Sequence, residues 1–242
     1  MRASTGQHVV VAGGGMAGIR TVTALREAGF AGRVTMVDRD PECDHDRPPL
    51  SKGFLTGTHS EADIRLPCAA ELDADQRLTA EVAGLSTQER ALHLASGVSL
   101  RFDGLVIATG LRARALPGSV RVPTIRSIHD ARRLRAALKG RAGRLVIIGA
   151  GFIGTEIAAS ARELGWQVTL NARESNPLTR ALGHTMGRFV ADLHRQHGVD
   201  VRAGQGTHEV TDTPDGYRVR LAGGEVIEAD LVVASLSRCL CK

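Results

Sequence analysis

Two glycine-rich segments share one pattern, and each lies where a short apolar run gives way to a stretch of helical periodicity. Residues 13–18 read GGGMAG and follow the apolar run His8–Ala12, and residues 149–154 read GAGFIG and follow Leu145–Ile148. After each helical stretch a second short apolar run begins. Strand, glycine turn, helix and strand form a βαβ unit, so the sequence predicts two copies of this unit.

The glycines of the first segment have the spacing that a dinucleotide requires. Gly13 allows the tight turn, Gly15 lets the backbone approach a pyrophosphate, and Gly18 lets helix and strand pack closely. Met16 and Ala17 begin the helix, whose free N–H groups point at the phosphates. The second segment presents the equivalent candidates for nucleotide binding: Gly149, Gly151, Phe152, Ile153 and Gly154.

An acidic residue after the second strand of such a unit binds the ribose hydroxyls, and the two units differ there. In the first unit Asp38 is in this position, and Asp40 is the second choice for the same role. In the second unit the strand at residues 168–170 is followed by Asn-Ala-Arg. A carboxylate repels the 2′-phosphate of NADP and an arginine attracts it, so Arg173 favours NADPH. Gly154, where NADP sites often have alanine, favours NADH. A solvated surface role for Arg173 also stays open.

Length, composition and cysteine content further limit the kind of protein that this chain forms. The 242 residues are enough for two modest α/β domains, and 43% apolar with 24% charged residues is typical of a globular protein. The four cysteines form no CxxC pair, and no segment resembles a signal peptide or a membrane span. We therefore expect a soluble, cytoplasmic protein with reduced thiols and without a metal site, a membrane or a nucleic-acid partner. The oligomeric state stays open.

The remaining segments complete an α/β pattern. Residues 78–102 alternate apolar and polar residues and predict an antiparallel meander, and residues 217–229 predict a hairpin. Helices are predicted at Ala131–Lys139, after a capping box, and at Thr185–Gln196. The fold class is thus α/β, with two Rossmann-like dinucleotide-binding domains that each have a parallel sheet and a small antiparallel meander. The predicted divisions are a first dinucleotide-binding domain at 1–111, which the resemblance described next makes the FAD-binding domain, a second at 112–235, which it makes the NAD(P)-binding domain, and an aberrant tail at 236–242.

Four stretches also carry a family resemblance, which covers residues 8 to about 234. They are the two glycine-rich units, DRPPLSK at residues 46–52 and LVIATG at residues 105–110. On these stretches the chain resembles the FAD-dependent, NAD(P)H-using reductases of ferredoxins and rubredoxins, within the pyridine nucleotide-disulfide oxidoreductase superfamily. These reductases serve Rieske dioxygenases and cytochrome P-450 enzymes. The RPPLSK string is the most specific of the four stretches.

The resemblance implies roles for several residues. Arg47 and Lys52 would contact FAD, and Lys52 would lie near the reactive ring, facing Glu156. A cation beside the ring favours negative charge on it, and a carboxylate orients the lysine. The alternative is that Lys52 and Glu156 are exposed charges of a loop and a helix. The resemblance also implies that Thr109 and Gly110 close the first flavin-binding segment and that Val82 meets the adenine of FAD through its backbone.

The family's activity would pass a hydride from NAD(P)H to FAD and electrons on to a ferredoxin- or rubredoxin-type carrier. Disulfide reductases of this fold have a redox cysteine pair after the first unit, where this chain has Cys43 alone, so thiol–disulfide chemistry is not expected. Ferredoxins are usually acidic, and arginines crowd residues 112–144. That stretch is a docking patch or an ordinary solvated basic face.

The end of the chain departs from the family pattern. Family members continue into a further strand with a flavin-binding Gly-Asp and then an interface domain, whereas residues 235–242 match neither. The sequence therefore predicts a C-terminal truncation that leaves the first domain incomplete, with an open sheet edge and weakened FAD binding. Two alternatives to an active reductase follow: an inactive NAD(P)-binding remnant, or half of a split enzyme that a second polypeptide completes.

Overall fold

The computed structural model describes residues 6–40, 42, 45–67, 71–74, 76–114, 116, 122–236 and 238–240. The chain divides into two units. The first comprises Met1–Asp46, Ile64–Leu111 and Leu240–Lys242, and the second comprises Arg47–Asp63 and Arg112–Cys239.

The elements of the first half, in chain order, are β1 (His8–Ala12), α1 (Met16–Glu27), β2 (Arg33–Asp38), a 3-10 helix (Pro48–Ser51), α2 (Gly53–Thr56), α3 (Glu61–Ile64), β3 (Gln76–Thr79), β4 (Val82–Ser86), β5 (Ala91–Leu94), β6 (Ser99–Arg101), β7 (Gly104–Ile107) and β8 (Leu111–Ala113). Those of the second half are α4 (Ile128–Leu138), β9 (Arg144–Ile148), α5 (Phe152–Glu163), β10 (Gln167–Ala172), α6 (Thr179–Gln196), β11 (Val199–Ala203), β12 (Thr207–Thr213), β13 (Gly216–Leu221), β14 (Val226–Ala229), β15 (Leu231–Ala234) and β16 (Arg238–Leu240).

A four-stranded sheet of order β3-β2-β1-β7 forms the centre of the first unit, and all its pairings are parallel. Val10 and Val11 of β1 are fully buried, one on each face, which is why the strand is apolar from Val9 to Ala12. Helix α1 covers one face through Ile19 and Val22. The antiparallel sheet β4-β5-β6 covers the other face, where Leu92 packs with Val10.

The second unit repeats this arrangement. Its parallel sheet has the order β11-β10-β9-β15, with α5 between β9 and β10, and the antiparallel sheet β12-β13-β14 packs on one face. Val146 and Ile148 of β9 meet Val219 and Leu221 of β13 in one core cluster. The predicted fold class, two Rossmann-like sheets with small antiparallel meanders, is confirmed.

Three local features differ from the pattern in the sequence. Helix α6 begins at Thr179 and includes a non-helical Gly183 with φ +81°, so its periodicity is interrupted near the predicted start. Helix α4 begins at Ile128, directly after its cap Ser127. In the segment regarded as a tail, β16 pairs with β8. Within the described residues, no helix is long and apolar enough to cross a membrane.

Candidate functional site

The first glycine turn is shaped by two positions where a side chain would not fit. Gly13 has φ +117°, and a Cβ there would overlap the carbonyl oxygen of Ala108, just after β7. A Cβ on Gly18 would overlap the carbonyl oxygen of Gly13. The turn is therefore packed tightly between helix and sheet, as the sequence predicts for these two glycines.

The start of α1 presents backbone N–H groups without a side-chain cap. Gly15 is the N-cap, with an extended backbone, and no side chain caps this end. Met16 and Ala17 follow as exposed residues of the first turn. Uncapped N–H groups at a helix N-terminus form a site for an anion, so the turn is able to hold a pyrophosphate.

Asp38, the last residue of β2, lies against this glycine turn. Its Oδ2 accepts a hydrogen bond from the Gly14 N–H, and its Oδ1 accepts one from the Asp40 N–H at 2.8 Å. The carboxylate is half-buried beside the helix start, where the ribose of a dinucleotide bound to the turn would lie. Asp38, and not Asp40, thus has the contact with the glycine turn.

The three remaining FAD candidates, Thr109, Gly110 and Val82, lie at the same end of the first sheet. The chain after β7 follows the glycine turn, because the Ala108 N–H donates to the Ala12 carbonyl at 2.7 Å. Thr109 comes next and is exposed, and Gly110 has φ +71°. Val82 packs, partly buried, on the core cluster that contains Ala12. Their contacts with a flavin remain a prediction.

The second glycine turn repeats the geometry of the first. Gly149 has φ +106°, and a Cβ there would overlap the carbonyl oxygen of Ser235. A Cβ on Gly154 would overlap the carbonyl oxygen of Gly149. Gly151 is the N-cap of α5 with no side-chain cap, and a Cβ there would meet only open space. Ser235, which the sequence assigned only to the end of the domain, therefore shapes this turn.

The strand after this turn ends without a carboxylate, as the sequence predicts. Ala172, the last residue of β10, is 1% exposed. Arg173 follows with a 76% exposed side chain, and its guanidinium lies 3.8 Å from Glu174 Oε1. Arg180, on α6, lies 3.9 Å from the same oxygen and has a 74% exposed side chain. Glu174 and Arg180 were not among the predicted site residues.

Asn171 is a structural residue that no motif in the sequence marks. It is 2% exposed, and its Nδ2 donates to the carbonyls of Arg202 and Gln205 at 3.3 and 3.0 Å. Its Oδ1 accepts a hydrogen bond from the Thr207 hydroxyl at 2.9 Å. Asn171 thus ties β10 to β11, to the segment after β11 and to the start of β12, so its side chain has a structural role.

Lys52 and Glu156, which the resemblance pairs, form an ion pair in the structure. Lys52 Nζ lies 2.9 Å from Glu156 Oε1, and the side chains are 48% and 30% exposed. The pair is therefore formed but only partly buried. Ser51 Oγ donates to the other carboxylate oxygen, Oε2, at 2.5 Å, and Ser160 Oγ donates to the Ser51 carbonyl at 2.8 Å. Neither serine was predicted as a site residue.

A cavity of about 230 Å³ adjoins this ion pair. Arg47 and Arg126 contribute basic groups to its lining, and Phe152 and Ile153 at the start of α5 contribute apolar surface. Phe152 is 55% exposed. The cavity thus combines an apolar wall, three basic side chains including Lys52, and the carboxylate of Glu156, within the second unit.

The segment that carries Arg47 and Lys52 is anchored on α4 and α5. Phe54 is buried, and the Arg135 guanidinium of α4 lies 5.0 Å from the centre of its ring. Arg132 of α4 forms an ion pair with Glu61, with Nε 2.9 Å from Oε2. These contacts explain why residues 47–63 belong to the second unit, and they fix the backbone from which Lys52 extends.

Comparison with known proteins identifies the family. Residues 7–236 match the family model described as "Pyridine nucleotide-disulphide oxidoreductase". The chain belongs to this family. Its two glycine turns, each between the first strand and first helix of a parallel sheet, are the positions at which the family resemblance predicts the two nucleotides. Among the described residues, no cluster of His, Cys, Asp or Glu suits a metal ion. Cys43, Cys68, Cys241 and Arg121 lie outside the described residues.

Relatives within the family include reductases of protein electron carriers. The chain is 33% identical to rhodocoxin reductase of Rhodococcus erythropolis over 94% of its own length and 55% of that protein's. It is 35% identical to the ferredoxin–NAD(+) reductase component of the p-cumate 2,3-dioxygenase system of Pseudomonas putida, over 94% and 57%. A crystal structure of the covalent putidaredoxin reductase–putidaredoxin complex matches with a TM-score of 0.91 at 30% identity, over 97% and 59%. The chain thus spans little more than half the length of these relatives.

Proposed function

We propose that this chain belongs to an NAD(P)H-dependent flavoprotein reductase of a ferredoxin- or rubredoxin-type electron carrier. FAD, when bound, accepts a hydride from the nicotinamide and releases electrons to the carrier. The single observation that carries the proposal is the Lys52–Glu156 pair, at 2.9 Å, whose carboxylate lies on the helix that begins at the second glycine turn. A glycine turn alone accounts only for nucleotide binding. An oriented lysine beside it adds a cation that would act on the reactive ring of the cofactor.

The first unit fits FAD. The closely packed turn at Gly13 and Gly18, the uncapped helix start after Gly15, and the Asp38 carboxylate form one contiguous surface. The turn would bind the pyrophosphate through backbone N–H groups, and Asp38 would accept hydrogen bonds from the ribose. Thr109, Gly110 and Val82 would add contacts at the same end of the sheet.

The second unit fits the nicotinamide nucleotide, and we infer a preference for NADPH over NADH. Ala172 has no charge to repel a 2′-phosphate, and Arg173 and Arg180 place two exposed guanidiniums within 4 Å of one carboxylate oxygen. A phosphate, with more charge than the Glu174 carboxylate, would compete for both. Gly154 favours NADH, and so does the Glu174 carboxylate that both arginines face. The names of the ferredoxin–NAD(+) relatives support NADH as the alternative.

An acidic carrier protein fits the basic surface of the second unit. Several of the arginines between residues 112 and 144 already have acidic partners in the described structure, including Arg133 with Asp130 and Arg144 with Asp230. Arg133 keeps a 77% exposed side chain in spite of its partner. Charge complementarity of this kind mainly accelerates association, so the patch would guide the carrier to the reductase.

A second candidate, a nucleotide-binding protein without flavin turnover, is supported by a contrast between the two sheets. Every residue of β15, the terminal strand of the second sheet, is buried. The equivalent strand of the first sheet, β7, is only partly buried, and its last residue, Ile107, is 66% exposed. The first unit therefore protects its terminal strand less well than the second, which would weaken an FAD site built on it.

One experiment separates the two functions. We expect the purified chain, incubated with FAD and freed of excess by gel filtration, to keep a flavin absorption band that NADPH bleaches under anaerobic conditions. Bleaching by NADPH that is faster than by NADH would support the cofactor preference as well. Retained NADPH affinity with no flavin uptake would favour the second candidate, and a chain that binds neither would overturn both.

A further inference from the structure

The Glu156 carboxylate is held from two sides by neighbouring residues of one segment. Its Oε1 faces Lys52 Nζ at 2.9 Å, and its Oε2 accepts a hydrogen bond from Ser51 Oγ at 2.5 Å. With a donor on each oxygen, the carboxylate has a fixed rotation about its last bond. The lysine therefore meets one defined oxygen and not a freely turning group.

A second serine fixes the first. Ser160 is four residues after Glu156 on α5, so the two side chains lie on the same face of the helix. Ser160 Oγ donates to the Ser51 carbonyl at 2.8 Å. Helix α5 thus makes two hydrogen bonds with Ser51: Glu156 accepts one from the Ser51 hydroxyl, and Ser160 donates one to the Ser51 carbonyl.

Burial makes these contacts specific. Ser51 is 3% exposed and Ser160 is 5% exposed, so neither hydroxyl is able to exchange its partner for bulk water without cost. Lys52, in contrast, is 48% exposed at its side chain and faces the cavity. A buried pair of serines therefore supports a carboxylate that in turn holds a half-exposed lysine.

We propose that Ser51 and Ser160 are positioning residues, which fix Glu156 and through it Lys52 at the cavity before any nucleotide binds. The task of the positioned lysine rests on the proposed function, but its positioning does not. A long lysine side chain loses considerable conformational entropy when it is fixed. With the serines in place, this entropy is lost during folding and not during ligand binding. Ligand binding then begins with the lysine already in place.

The lysine content of the chain makes this proposal directly measurable. The sequence has three lysines, Lys52, Lys139 and Lys242. Each lies in a different part of the chain, so the rate at which an acetylating reagent modifies each lysine is obtained by peptide mass spectrometry. The reagent must reach the lysine nitrogen, and Lys52 Nζ, held 2.9 Å from Glu156 Oε1, is hindered and reacts slowly. Lys139, which is exposed, serves as the internal standard.

Ser51→Ala should raise the Lys52-to-Lys139 reactivity ratio by about threefold to tenfold, because a half-exposed ion pair loses the hydrogen bond that orients it. Glu156→Gln, which removes the charge, sets the upper limit of the ratio. Ser160→Ala should give a smaller increase in the same direction, and it tests the proposal should the first variant fail to fold. Ser51→Thr keeps the hydroxyl and should return the ratio toward that of the unchanged protein.

A matched control distinguishes positioning from a general loss of stability. Ser127→Ala removes the cap of α4, which accepts a hydrogen bond from the Asp130 N–H at 3.2 Å, and Ser127 has no contact with Glu156 among its described hydrogen bonds. It should lower the melting temperature and leave the lysine ratio unchanged. If Glu156→Gln raises the ratio while Ser51→Ala and Ser160→Ala do not, the ion pair exists without help from the serines and the proposal is overturned.

The experiment requires no flavin, so its result is independent of whether the chain takes up FAD. Failure of the proposed function would appear as absent flavin absorption with the lysine ratios as expected. In flavin-loaded protein, Ser51→Ala should lower kcat more than it raises KM for the nicotinamide nucleotide, because the nucleotide's own contacts are retained. An increase in KM alone would contradict a positioning role.

Discussion

Asp38 and Ala172 have the same position in two copies of one fold, yet only Asp38 has a carboxylate. Each is the last residue of the second strand of its sheet, and each follows the residue that pairs with the end of the first strand. Asp38 accepts a hydrogen bond from the first glycine turn, whereas Ala172 is buried and is followed by Arg173. The two strand ends therefore differ in charge, with a carboxylate at the first and a buried methyl group followed by a guanidinium at the second.

The first prediction concerns the charge at the second ribose site. Replacing Arg173 and Arg180 together by alanine should weaken binding of 2′,5′-ADP by about tenfold or more, because each guanidinium contributes a charge-assisted hydrogen bond to the extra phosphate. Binding of 5′-AMP, which differs only by the absence of that phosphate, should change little. Isothermal titration calorimetry on both ligands gives the comparison directly.

Arg188→Ala provides the control for this pair, since Arg188 is exposed on α6 and has no predicted role at the ribose. It should leave both affinities within about twofold, the change expected for a distant surface charge. Equal losses for 2′,5′-ADP and 5′-AMP in the double variant would show that the arginines do not recognise the 2′-phosphate. The preference for NADPH would then have no basis in this site.

The second prediction separates folding from binding at the second glycine turn. Gly149→Ala places a side chain at φ +106° against the Ser235 carbonyl, so it should destabilise the protein by about 2–4 kcal/mol. Gly151→Ala meets only open space and should leave the melting temperature nearly unchanged. It should nevertheless abolish NADPH binding, because the Cβ lies where the pyrophosphate approaches the helix. Calorimetric melting and NADPH fluorescence titration measure the two effects, and a Gly151→Ala protein that still binds NADPH normally would refute this placement.

The sequence predicts those parts of the fold that local pattern determines. Strand, glycine turn and helix are adjacent in the chain, so the positions of Gly13 and Gly149 and the capping box at Ser127 follow from short-range spacing. The Lys52–Glu156 pair spans two distant segments and was available only through the family resemblance. Structure then shows that the pair is half-exposed and that two further serines support it.

The site features that could not be predicted from the sequence depend on contacts between residues that are far apart in the chain. Ser51 and Ser160 are 109 positions apart, and neither belongs to a periodic pattern that would mark it. Arg180 is separated from Arg173 by a turn in which Leu178 has a positive φ of 55°, which returns the chain toward the same carboxylate. Ser160 offered one signal, because it lies one helical turn after Glu156.

The third prediction concerns acid stability. Burial raises the pKa of Asp130, but hydrogen bonds from the Ser127 backbone and hydroxyl outweigh it, with help from Arg133, so the net pKa is below the ordinary value. A carboxyl with a lowered folded-state pKa stabilises the protein above its unfolded value, near 3.8, and this contribution is lost as the pH falls through the folded-state value.

Asp130→Asn should therefore reduce the free energy of unfolding by about 1 kcal/mol at neutral pH, the usual contribution of a helix cap. The difference between the two proteins should shrink steadily below pH 4, because the aspartate of the unchanged protein becomes protonated. Urea unfolding at a series of pH values, followed by the fluorescence of Trp166, provides the measurement. Trp166 is the single tryptophan and is fully buried in the second unit, so its emission reports on the same unit as α4. A difference that stays constant from pH 7 to pH 3 would show that the charge of Asp130 contributes nothing.

The fourth prediction concerns the exposed end of β7. Among the described strands β7 pairs only with β1, and Ile107 at its end is 66% exposed, so this terminal strand presents apolar surface beside unpaired backbone groups. Ile107→Lys should reduce self-association in dynamic light scattering, because a charge on an edge strand opposes pairing with a second chain. Val98→Lys is the matched control: Val98 is 50% exposed but lies in the turn between β5 and β6. If both variants reduce association equally, the cause is net charge and not the sheet edge. If only Ile107→Lys reduces it, the surface that self-associates lies at β7.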